Sequence, residues 1–171
     1  GVGASGTQGQ GSAPKRSYFE WTRYELRMGP GGGRLEKYLR DAYFPALKRQ
    51  GLGPRGAFSV LFGPGSPAIY TLVTLPSLDA LGAIREKLAA DSAYQTTAAD
   101  YRALAPGDAA YVRKESTILH AFAGMPSVEV PAAAAGNKPR IFEFRVYESP
   151  SERTNEKKIE MFDAGEIAIF R

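Results

Sequence analysis

Over residues 18–28 apolar and polar side chains alternate: Phe19 and Trp21 share one parity, Glu20 and Thr22 the other. Period-2 alternation predicts a strand with one apolar face. Gly29–Gly33 interrupts it, and the period then lengthens. Leu35, Tyr38, Leu39, Ala42, Ala46 and Leu47 fall on one stripe, which predicts a helix over about 34–50. Pro45 removes one backbone hydrogen bond from that helix and predicts a kink near Tyr43. Two short apolar runs, 57–62 and 68–75, flank Gly63–Pro67 and read as a hairpin. Ser77 suits an N-cap, and Leu78, Leu81, Ile84 and Leu88 form the buried stripe of the helix it opens. A shorter helix is expected over 92–104 and a β-rich stretch over 109–122. The resulting order, β-α-β-β-α-β, is the ferredoxin-like arrangement, an α+β fold.

The opening strand then returns. Tyr-Phe-Glu-Trp-Thr-Arg-Tyr-Glu at 18–25 matches Ile-Phe-Glu-Phe-Arg-Val-Tyr-Glu at 141–148, with Phe19/Phe142, Glu20/Glu143, Tyr24/Tyr147 and Glu25/Glu148 identical and Trp21 facing Phe144. The same offset of 123 aligns Tyr38/Met161, Leu39/Phe162, Phe44/Ile167 and Leu47/Phe170. Internal repetition of this kind points to tandem copies of one unit. Residues 1–17 hold no large apolar side chain beyond Val2 and are expected to be disordered. Residues 18–122 make the first repeat, the Pro/Ala/Gly-rich 123–139 a linker, and 140–171 the opening strand and helix of a second, incomplete repeat. Ser149-Pro150-Ser151-Glu152 predicts a helix start with Ser149 at the N-cap, Pro150 at N1 and Glu152 at N3. One strand and one helix cannot make a stable sheet alone, so this part is expected to dock on the first repeat or on another chain, and the natural protein is expected to be longer.

The residues of both copies carry a resemblance. Tyr18-Phe-Glu-Trp-Thr-Arg-Tyr24, Tyr38-Leu-Arg-Asp-Ala42, Pro45-Ala-Leu47 and Ala110-Tyr-Val-Arg113 stand in the first copy. Arg140-Ile-Phe-Glu-Phe-Arg145, Tyr147-Glu-Ser-Pro-Ser-Glu152, Lys157-Lys-Ile-Glu-Met-Phe162 and Gly165-Glu-Ile-Ala-Ile-Phe-Arg171 stand in the second. With these the chain resembles the NIPSNAP family within the dimeric α/β-barrel, ferredoxin-like superfamily. The resemblance implies two repeats closing a (pseudo-)dimeric α/β barrel, and assembly as a homo-oligomer. It also implies export through a twin-arginine signal, as in bacterial relatives, with a cytoplasmic location as the alternative. Scaffold roles proposed for animal members imply an interaction module. Two departures stand out: Thr22 occupies a position where the first repeat often carries Arg, and the second repeat lacks its later half.

Composition narrows the chemistry. The chain has no cysteine and one histidine, His120, which excludes disulfides, thiolate catalysis and a multi-Cys/His zinc site. A net charge of +4 is mild, and Lys48-Arg49 and Lys157-Lys158 are the densest basic stretches, so no nucleic-acid partner is expected. No apolar run approaches the roughly 18 residues of a membrane span. No metal or cofactor is expected: His120 reads as a packed histidine, and Gly29–Gly33 as a turn lacking phosphate-loop spacing. Ser116 and Ser151 have no histidine partner for Ser-His hydrolysis.

Alternation sorts what remains. Phe19, Trp21, Phe142, Phe144 and Val146 are expected beneath the helices, leaving Glu20, Thr22, Tyr24, Glu143, Arg145 and Tyr147 to point into a barrel interior. Glu143 and Arg145 are the candidate catalytic pair. Glu20, Tyr24 and Tyr147, with Tyr111, Arg113 and Glu115 on the closing strand, are candidate ligand contacts. A guanidinium, a carboxylate and phenols in alternation can hold an anionic or carbonyl ligand and move a proton. The same residues equally make a structural ion-pair network. Two functions follow: a barrel binding a small organic ligand between sheet and helices, with or without cofactor-free acid/base chemistry, and a non-catalytic interaction module.

Overall fold

The computed structural model describes residues 14–130 and 140–169. Strands β1 (Tyr18–Glu25), β2 (Arg55–Ser59), β3 (Ala68–Leu75) and β4 (Arg113–His120) form one sheet in the order β2-β3-β1-β4. Every neighbouring pair is antiparallel. Helix α1 (Gly31–Tyr38) runs through a π-helical turn at Leu39–Tyr43 into α2 (Phe44–Arg49). Helices α3 (Leu78–Ala90), α4 (Ser92–Thr97) and α5 (Ala99–Arg102) lie between β3 and β4 in the chain. This is the ferredoxin-like α+β fold, with β1 and β3 at the centre of the sheet. Beyond it stand α6 (Glu152–Met161) and α7 (Ile167–Ile169), joined by a second π-helical turn. Among the described residues no helix is long and apolar enough to cross a membrane.

The helices cover one face of the sheet. Leu35 and Leu39 of α1 and its π-turn pack on Tyr24, Ile69 and Ala110; Leu47, Leu52 and Ile84 pack on Val73 and Leu75. Ala42 and Ala46 meet Tyr94 and Ala98, so small residues let α4 approach closely. The stripe read from the sequence is the one that is buried, because its spacing places those side chains over one another on a single helix face.

The sheet faces are the reverse of the sequence expectation. Glu20, Thr22 and Tyr24 lie opposite Val73, Thr71 and Ile69 on β3, on the side that the helices cover. Phe19 and Trp21 have the other parity, and Trp21 stacks on Tyr70 at 5.1 Å and meets Phe58 at 5.9 Å on the free face. Alternation settles which side chains share a face but carries no sign. The sign comes from β3, whose Ile69, Val73 and Leu75 are all buried against the helices.

Other expectations shift for local reasons. A turn does break the regular helix at Leu39–Tyr43, where Pro45 predicted a kink. The second π-turn, Phe162–Glu166, follows at the repeat offset of 123, and Ala168 stands there in the place of Pro45. Proline is therefore not required for this irregularity. Helix α6 is capped by Ser151 instead of Ser149. Ser151 Oγ accepts from the Thr154 N–H at 3.3 Å and Thr154 Oγ1 accepts from the Ser151 N–H at 3.2 Å, a reciprocal box unavailable two residues earlier. Residues 140–149 form no strand. They cross the free face on their rings: Phe144 stacks on Trp21 at 4.6 Å and Phe142 meets Phe58 edge-on at 5.2 Å. A strand needs a ladder along a sheet edge, and a segment laid over a face has none. Residues 1–13 and 131–139 lie outside the described residues, while Arg16 and Ser17 are tied down by bonds to Ala121 and Pro126.

The glycine run after β1 has a packing role. A Cβ built on Gly31 would lie 2.9 Å from the Ala110 carbonyl oxygen, whereas one on Gly33 meets nothing within 4 Å. Gly31→Ala should therefore cost about 1–3 kcal/mol through overpacking. Gly33→Ala, inside α1, should add about 0.5–1 kcal/mol through helix propensity. Urea unfolding of the two variants should show midpoints displaced in opposite directions.

Candidate functional site

A polar row runs across the helix side of the sheet where β1 meets β4. Thr22 and Ser116 are register partners, and their hydroxyls lie 3.0 Å apart. Ser116 Oγ also donates to Glu20 Oε1 at 3.0 Å. With Ser116 committed to the carboxylate, the Thr22 hydroxyl donates to Ser116, giving a Thr22–Ser116–Glu20 chain whose dipoles all point at the carboxylate. Thr22 is 2% exposed and Glu20 half-buried, so the chain runs from core to rim.

Tyrosines surround this row. Tyr24 is buried, meets Tyr111 edge-on at 5.3 Å, and has the Lys114 ammonium 5.5 Å from its ring centre. Tyr38 stacks on Tyr101 at 3.9 Å and shares a hydrogen bond with Tyr94 at 2.9 Å between hydroxyls. The π-turn carries Tyr43 into the same layer, 5.9 Å from Tyr38. Burial raises the phenol pKa of Tyr24, with smaller contributions from Tyr43, Tyr101, Glu20 and Tyr111. Burial likewise raises Tyr43, next by the Glu20 charge, and Tyr101, next by Tyr111. Tyr38 is raised by burial and then by its hydrogen bond with Tyr94. These phenols stay protonated and so keep a proton to donate, and the Glu20 charge lies close enough to act on Tyr24 and Tyr43.

A cleft of about 310 Å³ opens at the end of this layer, lined by Arg27, Met28, Arg34, Asp108, Tyr111 and Val112 among others. Arg34 Nη1 donates to the Asp108 carbonyl at 2.8 Å and to its carboxylate at 3.2 Å. Arg27 has no ion-pair partner among the described residues. Tyr111 belongs to both places, touching Tyr24 on one side and walling the cleft on the other.

The chain is similar to NIPSNAP family proteins of known structure. One, of unknown function, from Agrobacterium tumefaciens, is 23% identical with a TM-score of 0.48, covering 63% of this chain and 90% of its own. Another from the same organism is 25% identical with a TM-score of 0.48, covering 65% and 90%. An uncharacterised NIPSNAP domain protein from Burkholderia xenovorans is 19% identical with a TM-score of 0.45, covering 67% and 98%. The overlap is partial at these scores, and the ferredoxin-like fold stands on this chain's own strand order and registers. No family model and no curated protein matches the chain at a significant level.

In this NIPSNAP-like chain the expected site residues do not share one surface. Glu20, Tyr24 and Tyr111 come together on the helix side, as described. Arg113 and Glu115 pair with each other at 2.7 Å, and Glu115 also takes Arg23 at 3.5 Å. Arg23 further bonds Glu25 at 3.2 Å, so β1 and β4 carry a solvated ion-pair ladder with the parity of Trp21. Glu143 and Arg145 lie in the 140–149 segment and bond each other at 2.7 Å, both well exposed. The bond from Arg145 holds the Glu143 carboxyl below its usual range, and Arg145 is raised by Glu143 and then Tyr147. Tyr147 packs edge-on against Phe162 at 5.3 Å beneath the Lys158 ammonium. His120 stacks on Tyr18 at 4.5 Å, and no group of three metal-ligating side chains occurs among the described residues. The split has the same cause as the inverted faces, since residues of one parity share a surface only within one ladder.

Sequence reading did not single out Tyr43, Tyr94 and Tyr101. The available signal was four tyrosines, at 38, 43, 94 and 101, in helical segments that pack against a sheet, where phenol oxygens need partners. Their raised pKa values give a pH dependence with a definite sign. A phenol whose folded pKa exceeds the unfolded value of about 10 leaves stability intact below that pH and removes it as pH rises further. Absorbance at the tyrosinate band should show Tyr24, Tyr38, Tyr43 and Tyr101 ionising only with alkaline unfolding.

Proposed function

We propose that the chain, organised as a ferredoxin-like repeat at 18–122 with a second repeat beginning at 140, binds a small organic anion between sheet and helices. The cleft beside Tyr111 takes the charged group. Its volume of about 310 Å³ falls at the small end of ligand sites; among the described residues Arg27 makes no ion pair there, while the Asp108 carboxylate is taken by Arg34. That cleft is the observation that carries the reading. Tyr111 then links the charged group to the phenol donors around Tyr24, with Glu20 beyond them as proton acceptor, steadied by Ser116 and Thr22. Donors that stay protonated beside one carboxylate suit a carbonyl or phenolic ligand, and support cofactor-free proton transfer at Glu20. Glu143 and Arg145 neutralise each other in solvent and take no part.

A second reading, a non-catalytic interaction module that assembles into homo-oligomers, is favoured by the 140–169 region. Ile141, Phe142, Phe144, Val146, Met161 and Ile169 are all at least half exposed there. This many exposed apolar side chains in one short region suit a docking surface.

Calorimetric titration with benzoate tests the first reading. Binding should weaken about tenfold in Arg27→Ala, the ~1.4 kcal/mol of one charge-assisted hydrogen bond, and less in Tyr111→Phe. Absence of binding, or equal affinity in Arg27→Ala, counts against it.

A further inference from the structure

The cleft beside Tyr111 is lined by three charged side chains, Arg27, Arg34 and Asp108. Two of them neutralise each other. Arg34 on α1 and Asp108 in the 3-10 turn Pro106–Asp108 form an ion pair at 3.2 Å. Arg27 pairs with no carboxylate among the described residues. The cleft therefore carries one uncompensated positive charge, with Met28, Val112 and the Tyr111 ring as apolar wall beside it.

The two bonds that hold Arg34 act differently. Its Nη1 donates to the Asp108 carbonyl at 2.8 Å and to the Asp108 carboxylate at 3.2 Å. The carbonyl belongs to the backbone, so it keeps the guanidinium in place whatever side chain stands at 108. The carboxylate is what cancels the charge. Nε and Nη2 of Arg34 make no hydrogen bond among the described residues, so donors remain while the net charge does not. A second anionic group brought beside Arg34 would meet the Asp108 carboxylate at the same time. The repulsion from one offsets the attraction of the other, and the group still loses its water. Arg34 and Asp108 are 39% and 59% exposed, and a pair this open contributes little to stability. Its role in the cleft is to set charge.

We propose that Asp108 determines the charge of the ligand: by occupying Arg34 it limits the cleft to a small organic monoanion seated on Arg27 and turns dianions away. This rests on the anion-binding reading of the cleft and adds to it the class of anion. Phthalate and phthalamate are matched probes, alike in shape but carrying two negative charges and one at neutral pH. In calorimetric titrations of the chain at low ionic strength, phthalamate should bind about tenfold more tightly than phthalate. Asp108→Asn keeps the carbonyl bond and frees the Arg34 charge for a second carboxylate, so phthalate should gain about tenfold relative to phthalamate. Adding Arg34→Gln to Asp108→Asn should remove most of that gain. Far-UV circular dichroism checks folding, and Asp108→Ser, which also keeps the carbonyl, replaces Asp108→Asn if that variant does not fold. Phthalate binding as tightly as phthalamate to the unchanged chain would overturn the charge limit and leave the anion-binding reading standing. A preference that does not move when the 108 carboxylate is removed would overturn the role of Asp108. Failure of benzoate and both probes to bind the unchanged chain would overturn the anion-binding reading, and the charge limit with it.

Discussion

The register of β1 on β3 is the constraint from which the other placements follow. Eight consecutive pairs, from Tyr18 with Leu75 to Glu25 with Ala68, lock the two central strands together. A slip of one residue would turn Glu20, Thr22 and Tyr24 toward solvent and drive Trp21 and Arg23 under the helices. Burying the Arg23 guanidinium against Leu35 and Leu39 would cost several kcal/mol, so the alternative is closed. Ile69, Val73 and Leu75 can be covered only in the observed arrangement, and β4 then inherits its faces from β1.

That register also separates two kinds of chemistry by a single strand's thickness. On the helix side, charge is scarce and phenols abound, with Glu20 held at the rim by hydroxyls drawn from two strands. On the other side, arginines and carboxylates pair in solvent around an aromatic floor. The first environment favours neutral donors and a single acceptor. The second favours recognition by shape and charge pattern, where exposed ion pairs contribute little to stability.

Much of this was legible in the residues. Leu35, Leu39, Ala42 and Ala46 announce a buried helix face, Ser77 caps α3 by accepting from the Ala80 N–H, and the β-α-β-β-α-β order is the observed one. What alternation lacks is a sign. Trp21 and Phe19 were the larger apolar pair on β1 and were expected under the helices, yet the deciding residues lie fifty positions away on β3. The grouping of Glu143 and Arg145 with Glu20 failed for a related reason. The similar strings at 18–25 and 141–148 adopt different structures because only the first has neighbours to form a ladder. Tyr43 was read only as the place of a kink, because a π-turn rotates side chains off the 3.6-residue period on which the helical stripe was drawn.

The two π-turns also bear on the order of past events. Such a turn closes five-residue loops where an α-helix closes four, so it absorbs one more residue than the regular spiral does. Leu39–Tyr43 and Phe162–Glu166 stand at one spacing but share no residue identity. If the copies descend from a common ancestor, the extra residue was already present before that ancestor was doubled. On that descent, the side chains within the turn were replaced at every position while the wider winding was kept in both.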